Sequence, residues 1–197
     1  MIRDDRIAMM AGAGALSLLL GALGFQYLAH LPPCEICHWQ RWPHIAAAAI
    51  GFGGTILWRG DKRVLTVPVI LLTTLIGVLV AKPAEMTVYI AGAALLLAGF
   101  AAIKGDVRHM AMVTLAMLAV SGLVGAYQTA LQLGLVPMPP CSVAHAYVMG
   151  SAAPEPQVSC NAVTWSLFGL SLAAYNTIFS LGMAATGAFL MSRKHAA

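Results

Sequence analysis

The chain has 197 residues, of which 60% are hydrophobic and only 9% are charged, and its formal net charge is +4 at pH 7. A soluble globule of this size buries only about 70% of the surface of its unfolded chain, so it could not cover this much apolar surface. The composition therefore excludes an ordinary soluble domain and predicts an integral membrane protein. We expect the positive charge to reflect membrane topology and lipid contact, not nucleic-acid binding.

Six apolar stretches approach the length that a helix needs to cross a bilayer, which is about 20 residues. In chain order they are residues 7–29, 42–58, 64–81, 87–103, 110–133 and 165–191. The third and fourth are separated only by residues 82–86, which predicts a tight hairpin. The sequence thus predicts an all-α bundle with six membrane spans, forming a single transmembrane domain over residues 1–197.

Basic residues predict the orientation of this bundle. If all six stretches span, most of the basic residues that flank them fall on one face, and only Arg41 and Lys82 fall on the other. The first group comprises Arg3, Arg6, Arg59, Lys62, Arg63, Lys104, Arg108, Arg193 and Lys194. Because basic residues concentrate on the cytoplasmic side, we expect both termini in the cytoplasm and all four cysteines outside. For a bacterial inner membrane the outer side is the oxidising periplasm, where disulfides persist.

The four cysteines form one tight pair and one loose pair. Cys34 and Cys37 make a Cys-x-x-Cys motif at the start of the second stretch. A disulfide there closes too small a loop to stabilise the fold much through chain entropy, and redox enzymes use this spacing. Cys141 and Cys160 lie within the predicted periplasmic loop, residues 134–164, and could form either a structural disulfide or an exchange pair. A four-cysteine zinc site is disfavoured because 18 residues separate the second pair, whereas structural zinc favours short knuckles.

The loop that contains the second pair is rich in proline between Gly134 and Cys160. Its prolines, at positions 137, 139, 140, 154 and 156, prevent long regular structure. Disulfide exchange requires an accessible pair that thiolates can attack. A hinged loop of this kind could bring its cysteines to Cys34 and Cys37, although its apolar stretch 143–149 could equally pack locally or lie on the membrane surface.

Arg41 follows Cys37 by four residues, which places both on one face if they share a helix. A guanidinium and the positive end of a helix would each favour the Cys37 thiolate. Pro43 limits this argument, because proline is tolerated mainly in the first turn of a helix. If the helix began as late as Trp42, Arg41 could instead be an interfacial residue that reaches lipid headgroups.

These motifs together resemble the disulfide bond formation protein B family. The resemblance rests on Cys34-Glu35-Ile36-Cys37-His38-Trp39-Gln40-Arg41-Trp42-Pro43-His44, on Gly125-Ala126-Tyr127 ahead of a proline-rich run into Cys141, and on Cys160 followed by residues 165–171. It covers residues of about 7–58 and 110–191. Members of that family are inner-membrane quinone reductases that reoxidise a soluble periplasmic thiol oxidase, DsbA.

The resemblance implies a role for each cysteine. A reduced DsbA-like partner of the thioredoxin fold would attack the Cys141–Cys160 disulfide, and Cys141 would take the mixed disulfide. Cys160 would then pass the electrons to Cys34 and Cys37. Cys37 matches the cysteine whose thiolate contacts the quinone, either ubiquinone or menaquinone, and Arg41 matches the arginine that supports it.

The chain departs from the family pattern at two places. Family members usually have four helices, so residues 64–103 are interpreted as an inserted two-helix hairpin beside a four-helix core. The pattern often has a histidine near the quinone where this chain has Gln128, which can donate a hydrogen bond but cannot carry a proton at neutral pH. His44, seven residues after Cys37, is a candidate substitute donor, and it could also be an interfacial histidine without a ligand.

Two other functions remain open from the sequence. An enzyme like vitamin K epoxide reductase also couples thiols to a quinone, but that family places its Cys-x-x-Cys after the loop pair, and here it comes first. A membrane scaffold or transporter with structural disulfides is the other alternative. A proton-pumping transporter is disfavoured, because the sequence lacks the paired intramembrane carboxylates that such a pump would need. We also predict no metal site.

Overall fold

The computed structural model describes residues 3–55, 107–137 and 159–193. The predicted hairpin over 64–103, with the third and fourth spans, lies outside the described residues, as do Cys141 and most of the predicted periplasmic loop. The described residues are mostly helical, in agreement with the predicted class. The elements in chain order are α1 (Asp4–Tyr27), α2 (Glu35–Ala47) with a π-helical segment (Ala48–Gly54), α3 (Val107–Gln132), β1 (Ser166–Leu167), β2 (Leu170–Ser171) and α4 (Leu172–Arg193).

Two of the described helices, α1 and α3, are long and apolar enough to cross a membrane. They coincide with the predicted first and fifth stretches, with each boundary within three residues of its expected place. The number of spans, predicted as six, stays a prediction, since the count depends on residues that are not described.

Helix α2 begins well before Trp42, the late start that would have left Cys37 and Arg41 outside the helix. Its first residue is Glu35, and Cys34 caps it, with the Cys34 Sγ accepting a hydrogen bond from the backbone N–H of Cys37. Pro43 therefore lies inside the helix and not in its first turn. A proline there cannot donate to the carbonyl of Trp39, four residues earlier. Packing against neighbouring helices lets a bundle tolerate such a proline, and the hydroxyl of Ser121 on α3 donates to the next carbonyl, that of Gln40. The condition for Cys37 and Arg41 to share a helix is met.

Small residues let α1 approach the π-helical segment closely. A Cβ added at Gly12 would overlap the backbone of Gly51 and Phe52, and one added at Gly51 would meet the carbonyl of Ala8. The same region forms the main core, in which Ala8, Ala11 and Ala15 of α1 pack with Leu115 and Leu118 of α3. Backbone contact of this kind is typical of helices that associate within membranes.

The start of the last predicted span is wrong by several residues. Residues 166–171 form a short antiparallel hairpin, in which Ser166 pairs with Ser171 and Leu167 with Leu170, and α4 starts only at Leu172. The turn residues Phe168 and Gly169 both have positive φ, at 50° and 77°. A two-residue turn with this backbone matches the twist of a hairpin, so the chain is not purely helical, although the apolar composition of 165–171 resembled the rest of the span.

The packing of the four helices places polar side chains from α2, α3 and α4 at one level. Helix α3 makes extensive contacts with both α4 and α2, and α1 packs against α2, the π-helical segment and α3. Trp165, just before the hairpin, contacts Phe25 of α1 and Tyr175 of α4, with ring centroids 4.8 and 6.1 Å apart. Through Trp165, these contacts connect the end of α1 with the start of α4.

Candidate redox site

Cys34 and Cys37 form a disulfide at the N-terminal end of α2, with their Cα atoms 5.1 Å apart. Cys34 is buried and Cys37 is half-buried. Cys160 is also disulfide-bonded, and it lies in the same buried cluster as Cys34, together with Ile36 and Leu131. The structure therefore places a cysteine of the second pair in the same buried cluster as the first pair.

A cavity of about 310 Å³ opens beside this disulfide. Its walls are largely apolar, and they include Leu18 and Phe25 of α1 and Phe179 of α4. Five of the predicted site residues line it: Cys34, Cys37, Arg41, His44 and Gln128. Volumes of a few hundred Å³ with an apolar lining and a few polar groups are typical of small-molecule sites. Of the other two predicted residues, Cys160 lies in the adjacent cluster and Cys141 is outside the described residues.

Arg41 is held in the cavity wall by α1. Its Nη1 donates a hydrogen bond of 2.6 Å to Oε1 of Gln26. Its Nε is buried and has no hydrogen-bond partner among the described residues. A buried donor that belongs to a charged group is unfavourable when it has no acceptor. An unpaired guanidinium N–H therefore favours a ligand that carries an acceptor oxygen.

Gln128 contacts both sulfurs of the disulfide. Its Nε2 lies 3.0 Å from Sγ of Cys34 and 3.2 Å from Sγ of Cys37. Its Oε1 accepts a hydrogen bond from Nε2 of Gln40. Gln128 is almost fully buried, with 2% of its surface exposed, so it is fixed at the cysteines as well as in the cavity wall.

His44 belongs to a polar network that crosses three helices. Its Nδ1 lies 2.8 Å from the carbonyl of Gln40 and 3.0 Å from the hydroxyl of Ser121, and its Nε2 lies 3.2 Å from the hydroxyl of Ser180. Both ring nitrogens thus have partners within the protein. Direct hydrogen bonding from His44 to a ligand would require one of these contacts to open.

Three polar residues of this site were not predicted from the sequence: Gln26, Gln40 and Asn176. Asn176 of α4 donates from Nδ2 to Oε1 of Gln40 at 2.8 Å and to the carbonyl of Ser121 at 3.2 Å. A signal was available, because a polar residue inside a membrane span is rare and usually faces the bundle interior. Asn176 interrupts the apolar stretch 165–191, and it could have been singled out on that ground.

Comparison with known proteins supports the same interpretation. A model of the family described as disulfide bond formation protein DsbB matches residues 4–83 and 85–190. The chain belongs to the DsbB family. Neither the curated proteins nor the solved structures gave a match. The family match includes the segment 64–103, so it does not set that segment apart, and the inserted hairpin stays a prediction.

Membership of the DsbB family implies a thiol oxidoreductase that acts in disulfide bond formation. Together with the two apolar helices α1 and α3, it indicates a membrane protein. Both cysteines of the Cys34–Cys37 disulfide lie within the described residues, so the surroundings of this redox pair can be described in detail.

Proposed function

We propose that this protein is a quinone-dependent thiol oxidoreductase of the bacterial inner membrane that reoxidises a periplasmic DsbA-like thiol oxidase. The observation that carries the proposal is the cavity beside the Cys34–Cys37 disulfide, where an apolar wall meets the Arg41 guanidinium. An apolar cavity with a buried cationic donor suits a flat, carbonyl-bearing, lipid-soluble molecule. Ubiquinone and menaquinone both have this chemistry.

The residues present fit such a cofactor. Arg41 lines the cavity and would hold it through its guanidinium, whose buried Nε has no partner among the described residues. Gln128 and His44 line the same cavity, and Phe25 and Phe179 supply apolar walls for a ring or an isoprenoid tail. When bound, a quinone would supply an acceptor for two electrons and two protons.

The cysteines would carry the electrons in two disulfide exchanges. A thiolate of the reduced partner attacks Cys141, breaks the Cys141–Cys160 bond and forms a mixed disulfide. The second thiol of the partner then releases the partner in its oxidised form, and Cys141 and Cys160 are left reduced. Cys160, which lies in the buried cluster with Cys34, next attacks one sulfur of the Cys34–Cys37 disulfide, forms a mixed disulfide with it and releases the other as a thiolate. Cys141 then attacks Cys160 in this mixed disulfide, so the Cys141–Cys160 bond reforms and Cys34 and Cys37 become the dithiol.

The test is quinone reduction by the purified protein with a reduced DsbA-like oxidase as electron donor. We expect turnover in the wild type and none in Cys37→Ser or Cys141→Ser, since each substitution removes one of the two pairs. Reactions with the partner and the quinone alone provide the background. If the wild type gave no quinone reduction while partner and quinone were active with another enzyme, the proposal would be wrong and the disulfides would be structural.

A further inference from the structure

The Gln128 amide is the last member of a chain of hydrogen bonds that starts on α4. The hydroxyl of Ser180 donates to Oδ1 of Asn176 at 2.9 Å, and Nδ2 of Asn176 donates to Oε1 of Gln40 at 2.8 Å. Nε2 of Gln40 then donates to Oε1 of Gln128, and the Gln128 nitrogen faces the two sulfurs. Four side chains from three helices are therefore linked in one direction.

A backbone carbonyl fixes that direction. The Ser121 carbonyl can only accept a hydrogen bond, and it lies 3.2 Å from Nδ2 of Asn176. The amide nitrogen of Asn176 must therefore face α3 and Gln40, which turns the oxygen of Gln40 toward Asn176. It follows that Gln40 offers its nitrogen to Gln128 and that Gln128 offers its own nitrogen to the sulfurs. Reversing one amide would place two oxygens or two NH₂ groups face to face.

The surroundings make such a reversal unfavourable. Gln40 is 8% exposed and Gln128 is 2% exposed, and the Ser121 and Ser180 side chains are fully buried. In an interior of low dielectric constant an unpaired polar group is expensive, so the linked amides turn together or not at all. Gly125 also leaves the room that Asn176 needs, since a Cβ at that position would lie 3.0 Å from Nδ2 of Asn176.

We propose that Asn176 is a positioning residue which, through Gln40, holds the NH₂ group of Gln128 on the Cys34–Cys37 sulfurs and so raises the reduction potential of this pair. The inference rests on the proposed function, in that the pair must be redox-active. An N–H donor binds a thiolate more strongly than a disulfide sulfur, because hydrogen bonds to charged acceptors are stronger. A fixed donor therefore favours the reduced pair and makes it a better electron acceptor from the loop cysteines.

The experiment measures the reduction potential directly. The purified protein is equilibrated with glutathione buffers, in which two glutathione thiols reduce the Cys34–Cys37 bond and become glutathione disulfide. The oxidised fraction is read by alkylation and peptide mass spectrometry, without quinone or partner. Asn176→Asp keeps the size of the side chain and replaces its donor with an acceptor, which would reverse the amides of Gln40 and Gln128. Gln128→Leu removes the final donor.

We expect both variants to shift the equilibrium with glutathione roughly tenfold toward the disulfide, equal to about 30 mV for a two-electron couple. The double variant should have the same potential as Gln128→Leu, because Asn176 acts only through Gln128. Thr114→Val is the matched control, since Thr114 is a fully buried polar residue of α3 whose hydroxyl donates to the Met110 carbonyl of its own helix. Its potential should equal that of the wild type.

Three other outcomes would overturn the inference. One is a wild-type potential in Asn176→Asp or in Gln128→Leu. Another is additive shifts in the double variant, which would indicate a general structural effect. If either finding came with normal quinone turnover, the proposed function would stand without the positioning role. If the wild-type Cys34–Cys37 pair failed to exchange with glutathione at any ratio, the redox role itself would be wrong and this inference with it.

Discussion

Nη1 of Arg41 donates a hydrogen bond of 2.6 Å to the side-chain oxygen of Gln26, and this bond ties α2 to the end of α1 at the wall of the cavity. The Nε of the same guanidinium is buried and has no hydrogen-bond partner among the described residues. Gln26 therefore orients the guanidinium that we propose to hold the quinone.

Replacing Gln26 with Leu should weaken quinone binding without removing the charge of Arg41. Hydrogen bonds to charged groups contribute about 1.5–3 kcal/mol, so we expect the KM for quinone to rise roughly tenfold with a smaller change in kcat. Steady-state titration with a short-chain quinone measures both. Thr129→Val is a suitable control, because the Thr129 hydroxyl donates to the Gly125 carbonyl of its own helix. An unchanged KM in Gln26→Leu would contradict the orienting role.

The two cysteines of the tight pair should differ in their reactivity after reduction. Cys34 is 4% exposed and caps α2, whereas Cys37 is more exposed. Alkylation requires access as well as thiolate character, so we expect a limiting amount of a maleimide to modify Cys37 before Cys34. Peptide mass spectrometry of the reduced protein gives the order. Preferential labelling of Cys34 would show that the buried end of the pair opens in the reduced state.

Gly12 should be essential for the packing of α1 against the π-helical segment. An alanine there would overlap the backbone of Gly51 and Phe52, which cannot move aside as a flexible side chain could. We expect Gly12→Ala to lower the free energy of unfolding by about 1–3 kcal/mol, as overpacking does. Thermal unfolding in detergent measures the change.

Gly24→Ala is the matched control for this prediction. It lies on the same helix, and its added Cβ would have no neighbour within 4 Å. Since alanine is favoured over glycine inside helices, this variant should be as stable as the wild type or slightly more stable. Equal stability of the two variants would mean that α1 and the π-helical segment are not in close contact.

The predicted order of the loop cysteines can be tested by trapping. A DsbA-like oxidase whose second active-site cysteine is replaced by alanine cannot resolve a mixed disulfide. We expect it to attack the Cys141–Cys160 disulfide and form a stable adduct with this protein, and peptide mapping should locate the mixed disulfide at Cys141. An adduct at Cys34 or Cys37 would contradict the proposed electron path.

The sequence alone predicted much of the helical framework and part of the site. Residues close in sequence determine an apolar span, a cap or a Cys-x-x-Cys motif, so α1, α3, Cys34, Cys37 and Arg41 could all be identified from local patterns. The hairpin before α4 was missed because residues 165–171 are as apolar as the helix that follows. The strand pairing of residues 166–171 and the positive φ of Phe168 and Gly169 distinguish them, and both are features of the folded chain.

The partners of those residues were decided by tertiary structure. Gln40 and Gln128 are 88 positions apart, and Gln40 and Asn176 are 136 apart. Whether such side chains meet depends on the rotation and depth of each helix in the bundle, which close packing at residues such as Gly125 sets. The family resemblance placed Gln128 near the expected quinone, but only the packed helices could direct its NH₂ group toward the sulfurs, because every polar group buried between them must find a partner.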